Sequence, residues 1–191
     1  MLGVEDIRKK EDLVVLYSGG ADSIMMLVLA DFMKRTPFCI LIDYGQLHIK
    51  ELDFAAAYLQ NKGIRYKIVR LGNLTAESAL TTGDKGLYQG VSQYFVPGRN
   101  TMFLSIALSE AETRGIKEVW YGPDYSDREH LFPDCYQEYV YRMNQVSEIS
   151  GSYPIKIYAP LLGLTKEMIL SMLENLGISK EDYYSGYGEF A

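Results

Sequence analysis

Chemistry is concentrated in Ser18-Gly19-Gly20-Ala21-Asp22-Ser23, set between the apolar run Leu13-Val14-Val15-Leu16-Tyr17 and a second apolar run from Ile24 to Leu29. Five apolar residues bounded by turn residues predict a strand covered on both faces, and the second run predicts a buried helix. Gly19 and Gly20 permit a sharp turn and a close approach of backbone to a ligand. The N–H groups that open the helix, reinforced by its dipole, make such a turn an anion site. Ser18 and Ser23 add hydroxyls at its rim. Asp22 would repel a phosphate directly; it fits as a first-turn carboxylate favoured by the dipole, or as a ligand of a phosphate-bound Mg²⁺. The bland alternative is a purely structural turn. The Gly-Lys-Ser/Thr ending of a Walker A loop is absent.

Positioning such a turn requires alternating strands and helices, and the chain supplies them. After the first unit (strand 13–17, helix 22–34), Phe38 to Asp43 reads as a buried strand closing in Asp43-Tyr44-Gly45. A helix is expected from His48 to Lys62, with Leu52, Ala55, Ala56 and Leu59 on one face and Gly63 as its stop. Arg65 to Leu71 reads as a strand near an edge, because its polarity alternates. Residues 72–100 lack periodicity and are expected to be a lid or binding loop. Thr101 to Arg114 then reads as a largely buried helix. Lys117 to Gly122 is a fourth strand, followed by a charged loop with Asp124, Asp127, Arg128, Glu129 and His130. A helix from about Asp134 carries Tyr136, Tyr139, Val140, Met143 and Val146 at helical spacing, read as core packing. Ile155 to Ala159 is a fifth strand, and Thr165 caps a last helix that Gly177 ends. The tail 179–191 is aromatic and Gly-rich. The reading is one domain over 1–191, an α/β fold with a doubly wound parallel sheet of about five strands, Rossmann-like. Ser18–Ser23, Asp43–Gly45, Gly122–Asp127 and Pro160–Leu164 then converge at the C-terminal ends of the strands, where ligands bind in such sheets.

Composition narrows the classes. At 191 residues the chain can bury a full core, and its net charge of −6 argues against a nucleic-acid-binding surface while leaving room for a local basic pocket for phosphates. Its charged start carries no signal-peptide pattern, and no apolar run approaches a membrane span. Cys39 and Cys135 make no disulfide framework, so a reducing cytoplasm is the expected compartment.

The Ser-Gly-Gly-x-Asp-Ser turn resembles the pyrophosphate loop of the ATP-pyrophosphatase superfamily, whose fold is of the adenine nucleotide alpha hydrolase-like (HUP) type. Five further pieces, in order, resemble the QueC or 7-cyano-7-deazaguanine synthase family: Asp43 to His48 with Glu51; Ala79-Leu80-Thr81; Val96-Pro97-Gly98-Arg99-Asn100; Asp127 with Phe132-Pro133-Asp134-Cys135; and Pro160-Leu161 with Thr165-Lys166. The resemblance implies an ATP-dependent ligase that adenylates the carboxylate of 7-carboxy-7-deazaguanine, forms an amide with ammonia, and dehydrates it to the nitrile after a second activation. The family also holds a structural zinc on four cysteines near its C-terminus. The tail here has none, so no zinc site is expected. QueC-like proteins of antiviral operons, some resembling ligases that join the deazaguanine carboxyl to a protein amine, are the alternative. A catalytically silent nucleotide- or nucleobase-binding subunit is a second alternative, and a homodimer is left open.

The resemblance also implies roles. Tyr17, Ser18, Gly19, Gly20, Asp22, Ser23, Asp43, Tyr44, Gly45 and Lys166 would hold ATP with Mg²⁺. Asp22, Ser23, Arg99 and Lys166 would do the chemistry: Lys166 neutralises the leaving pyrophosphate and Arg99 the charge at the α-phosphate. The bland readings are a solvated lysine and a plain helix cap at Asn100. His48, Glu51, Arg99, Asn100, Asp127 and Asp134 would line the substrate pocket. Asp127 or Asp134 would accept the donor edge of a guanine-like base, unless Asp134 is merely a helix N-cap. His48 and Glu51 alone make a weak metal pair. His130 and Cys135 have no independent case for catalysis.

Overall fold

The computed structural model describes residues 10–46, 49–72, 95–129 and 132–184. The expected loop therefore lies largely outside the described residues, as do Ala79 to Thr81, His48, His130 and the end of the tail.

Five parallel strands form the sheet: β1 (Leu13–Leu16), β2 (Pro37–Asp43), β3 (Tyr66–Arg70), β4 (Glu118–Trp120) and β5 (Lys156–Tyr158). Their order is β3-β2-β1-β4-β5. The helices are α1 (Ala21–Phe32), α2 (Ile49–Asn61), α3 (Arg99–Arg114), the single turn α4 (Ser126–Glu129), α5 (Gln137–Ser150) and α6 (Lys166–Asn175). The expected doubly wound sheet is the one found, with β3 at an edge.

Strand alternation sorts the core into two layers. In β1, Leu13 and Val15 pack with Ile24, Leu52, Leu59, Ile169 and Leu173, on the side of α1, α2 and α6. Val14, between them, packs with Leu104, Ala107, Val140 and Met143, on the side of α3 and α5. All three β1 residues are fully buried, as the unbroken apolar run requires. The chain winds outward from β1 to β3, then returns to β4 on the other side of β1. The switch point, where loops part to opposite faces and leave a crevice, is thus between β1 and β4.

Two sequence expectations need correction. The helix read from Thr101 begins at Arg99, and only Leu104, Ala107 and Ala111 of it are buried; Phe103, Ile106 and Leu108 are half-buried against the same core, because a single sheet face covers the helix. The face read on α5 is buried at Val140 and Met143, with Tyr139 half-buried against the same core, whereas Tyr136 and Val146 are 39% and 47% exposed. The polar residues Asn144 and Ser147 face the outer edge of β5 instead. Asn144 donates to the Ile157 carbonyl and accepts from its N–H, both at 2.9 Å. Ser147 does the same for Ile155, at 2.7 and 3.2 Å. The outward backbone groups of this edge strand are thereby satisfied within the chain.

Candidate functional site

A cavity of about 450 Å³ opens at the C-terminal ends of β1, β2 and β4, within the size range of small-molecule sites. Its first wall is the turn after β1. Gly19 has φ +91°, and a Cβ there would lie 2.8 Å from the Ala55 Cβ of α2. Glycine is required here both by the left-handed backbone and by the close approach of the helix behind it. The Ser18 N–H donates to Ser23 Oγ at 3.0 Å, the two hydroxyls pair at 2.9 Å, and the Gly20 N–H reaches Ser18 Oγ at 3.3 Å. These bonds fold the turn into a fixed ring. The N–H groups of Ala21, Asp22 and Ser23, in the first turn of α1, have no carbonyl one turn back to pair with. Tyr17, Ser18, Asp22 and Ser23 contribute to the cavity wall; Gly19 and Gly20 shape it without lining it.

Tyr44 and Glu51 supply the second wall. Asp43 does not reach the cavity: its carboxylate accepts the Gly45 N–H at 3.2 Å and tightens the turn after β2. Gly45, in that turn, is also off the wall. Arg99, the first residue of α3, lies over the Tyr44 ring, 5.7 Å from its centre, and donates to the Tyr44 hydroxyl at 3.3 Å. Gly98, with φ +71°, precedes it at the cap position, so Asn100 is inside the helix and is not its cap. Asp134 is buried in a 3-10 turn (Pro133–Cys135) and is not the cap of α5, a position held by Tyr136. Burial raises the pKa of Asp134, and the charge of Arg99 and a hydrogen bond from Asn100 oppose that rise. Arg99 is thus held between Tyr44 and Asp134, and Asp134 stands behind the cavity wall rather than on it.

The third wall follows β4 and β5, and the site is most charged there. Asp127 lines the cavity, and its pKa is raised to about 6, first by burial and then by the neighbouring Asp124 and Asp22 charges. Lys166 opens α6, which Thr165 caps by accepting the Met168 N–H. Its Nζ contacts both Asp22 oxygens, at 2.6 and 2.5 Å, and Asp124 Oδ2 at 2.9 Å. Burial pulls the Lys166 pKa down, but the two carboxylates outweigh it and hold it above the usual lysine value. Burial likewise raises Asp22, against the pull of Lys166. A freely solvated lysine is therefore the wrong description. Three carboxylates against one amine leave this corner of the cavity net negative. Among the described residues no group of three or more His, Cys, Asp or Glu is disposed to hold a metal ion.

The model of the family described as "Queuosine biosynthesis protein QueC" matches residues 12–190. The chain belongs to the QueC family. Relatives named 7-cyano-7-deazaguanine synthase include one from Alteromonas mediterranea, 35% identical over 185 residues that span 93% of this chain and 84% of the relative. Another, from Prochlorococcus marinus subsp. pastoris, is 35% identical over 195 residues, spanning 94% and 85% of the two chains. Among solved structures, the U34-tRNA thiolase NcsA from Methanococcus maripaludis, with its [4Fe-4S] cluster, superposes with a TM-score of 0.61 at 17% identity, covering 96% of this chain and 62% of that one. At that identity the likeness shows the fold alone, the Rossmann-like sheet with flanking helices.

Within this QueC-family chain, sequence reasoning passed over Asp124, the most buried carboxylate of the site at 1% exposure. The signal was present: Asp124 and Asp127, three apart before an expected turn, are spaced to cap each other's N–H groups. Gln46, on the second wall, was also passed over; its side-chain carbonyl accepts the Tyr44 N–H at 3.0 Å.

Proposed function

We propose that this protein is a QueC-type ATP-dependent ligase that activates the carboxylate of 7-carboxy-7-deazaguanine, releasing AMP and pyrophosphate, and yields 7-cyano-7-deazaguanine through the amide. The observation that carries the reading is one cavity lined by Ser18, Asp22, Ser23, Lys166, Arg99 and Asp127 in a chain of this family. The first-turn N–H groups of α1 and the hydroxyls of Ser18 and Ser23 hold the β- and γ-phosphates. Tyr44 flanks the adenosine, held in place by the Asp43–Gly45 turn behind it. The Asp22 carboxylate, 26% exposed on its side chain, would hold a Mg²⁺ carried by the nucleotide, an ion that binds through one or two carboxylates plus substrate phosphates and would neutralise phosphate charge.

Asp127 accepts the donor edge of the base and so aims its carboxylate at the α-phosphate. The carboxylate oxygen bonds to that phosphorus as the bond to pyrophosphate breaks. Arg99 meets the charge developing at the α-phosphate and Lys166 the charge of the departing pyrophosphate. Ammonia then displaces AMP to give the amide, and a second ATP activates the amide oxygen for loss to the nitrile. Catalysis is positioning plus charge stabilisation, without a covalent nucleophile.

The test is pyrophosphate and AMP formation from ATP with and without 7-carboxy-7-deazaguanine, with products read by mass spectrometry in the presence of ammonia or candidate protein acceptors. Base-dependent pyrophosphate release that ends in the nitrile supports the proposal. A deazaguanine–protein amide transfers it to the conjugating branch of the family. No release under any condition leaves a binding subunit.

A further inference from the structure

The two carboxylates that hold Lys166 differ in their freedom to move. Asp22 lies at the mouth of the phosphate turn, and its side chain is 26% exposed. Asp124 is 1% exposed and is pinned at both ends. Its Oδ1 accepts the Asp127 N–H at 3.1 Å, and its own N–H donates to Asp127 Oδ2 at 2.9 Å. The same turn is bonded to the start of α6: Ser126 Oγ accepts the Lys166 N–H at 3.0 Å, and the Tyr125 N–H donates to the Leu164 carbonyl at 2.8 Å. Only Oδ2 of Asp124 is left over, and it faces the Lys166 amine at 2.9 Å.

We propose that Asp124 is a positioning residue, the fixed pivot on which the Lys166 amine turns from Asp22 to the polyphosphate. In the free protein the amine is shared by Asp22 and Asp124. A polyphosphate entering with its cation offers Asp22 a new partner and offers Lys166 a new anion. Asp124 has no such exchange open to it, since water does not reach it and its turn is tied to α6. Leaving it as a lone buried charge would be strongly unfavourable, so the amine swings about Asp124 and does not depart from it. Because Asp124 also holds Asp127, one carboxylate sets the distance between the phosphate end and the base end of the cavity. Sequence spacing could not show this, because Asp22 opens α1, Lys166 opens α6 and Asp124 lies in the loop after β4.

The inference rests on the proposed use of ATP, so the test has one arm that needs no turnover. Asp124→Asn keeps the oxygen that accepts the Asp127 N–H and removes the charge facing Lys166. Base-dependent pyrophosphate release should lose about tenfold or more in kcat, with KM for ATP changed by less than about threefold, since the interaction is realised in the reacting complex. In the second arm, Lys166 is acylated without nucleotide and quantified by mass spectrometry against Lys62 and Lys117 of the same digest. Lys166 should react severalfold faster in the Asn variant relative to those lysines. Asp124→Glu, which keeps the charge while disturbing the turn, should leave Lys166 slow to react. Full kcat in Asp124→Asn, or unchanged Lys166 reactivity, overturns the proposal. If the wild type releases no pyrophosphate, the reading as a ligase fails and acylation alone decides on Asp124. If Asp124→Asn melts below the assay temperature, Asp124→Glu decides: a fast-reacting Lys166 there overturns the pivot, and a slow one supports it.

Discussion

Asp127 has a carboxyl pushed up to about 6 by burial beside two further carboxylates, which ties binding and stability to the same atoms. Replacing it with Asn exchanges one acceptor for a donor. The unsatisfied group costs about 1–3 kcal/mol, or roughly one to two orders of magnitude in affinity for the deazaguanine base. Calorimetry should show that loss for Asp127→Asn with ATP binding unchanged; for Asp134→Asn, whose carboxyl faces Arg99 and Asn100, base affinity should change less. Equal base affinity in the wild type and both variants would mean the base is read elsewhere. The stability effect has the opposite direction. A carboxyl with a raised folded pKa favours the folded state below its unfolded pKa, near 3.8, and that contribution is lost as pH rises through about 6. Asp127→Asn should therefore gain stability over wild type between pH 4 and pH 7, with the gap in denaturant midpoints widening as pH rises. A gap that narrows with pH contradicts the assignment.

At the level of elements, the Ser18–Ser23 turn is supported from behind as much as from within. Gly19 stands against Ala55 of α2, so the turn depends on a helix that contributes only Glu51 and Leu52 to the cavity wall. Gly19→Ala adds a left-handed alanine, about 1–2 kcal/mol, and a Cβ contact of 2.8 Å. Thermal melts should fall accordingly and pyrophosphate release should drop with them. In the double variant Gly19→Ala with Ala55→Gly the contact is relieved while the backbone cost stays. Because Ala55→Gly alone costs about 1 kcal/mol in a helix interior, the clash is read from the double-mutant cycle: the double variant should lose less stability than the sum of the two single variants, and strictly additive losses would exclude the clash as a cause.

For the molecule as a whole, the sheet is closed at β5 by side chains rather than by another strand. Asn144 and Ser147 satisfy both backbone groups of Ile157 and Ile155. Removing Asn144 with Ala unpairs a donor and an acceptor on a sheet edge. The expected cost is about 1–3 kcal/mol, with greater self-association because the opened edge can pair with another chain. Denaturant titration and sedimentation velocity would read the two effects. A fully stable, non-associating Asn144→Ala variant would show that water replaces the amide without loss.

The sequence alone determined the parallel α/β architecture, because buried apolar runs alternating with helical periods and stopped by Gly63, Gly115 and Gly177 leave few other arrangements. It also marked the Ser18–Ser23 turn and the strand ends as the candidate site, and a cavity opens there. What it could not determine were relations between side chains far apart in the chain. Lys166 sits 144 positions from Asp22, and no local pattern reports their contact. Asp134 turned toward Arg99 and Asn100 rather than the cavity because a 3-10 turn, not the expected helix, set its direction. Polar Asn144 and Ser147 belonged to the interior because they answered the free edge of β5, a need that exists only once the sheet has formed.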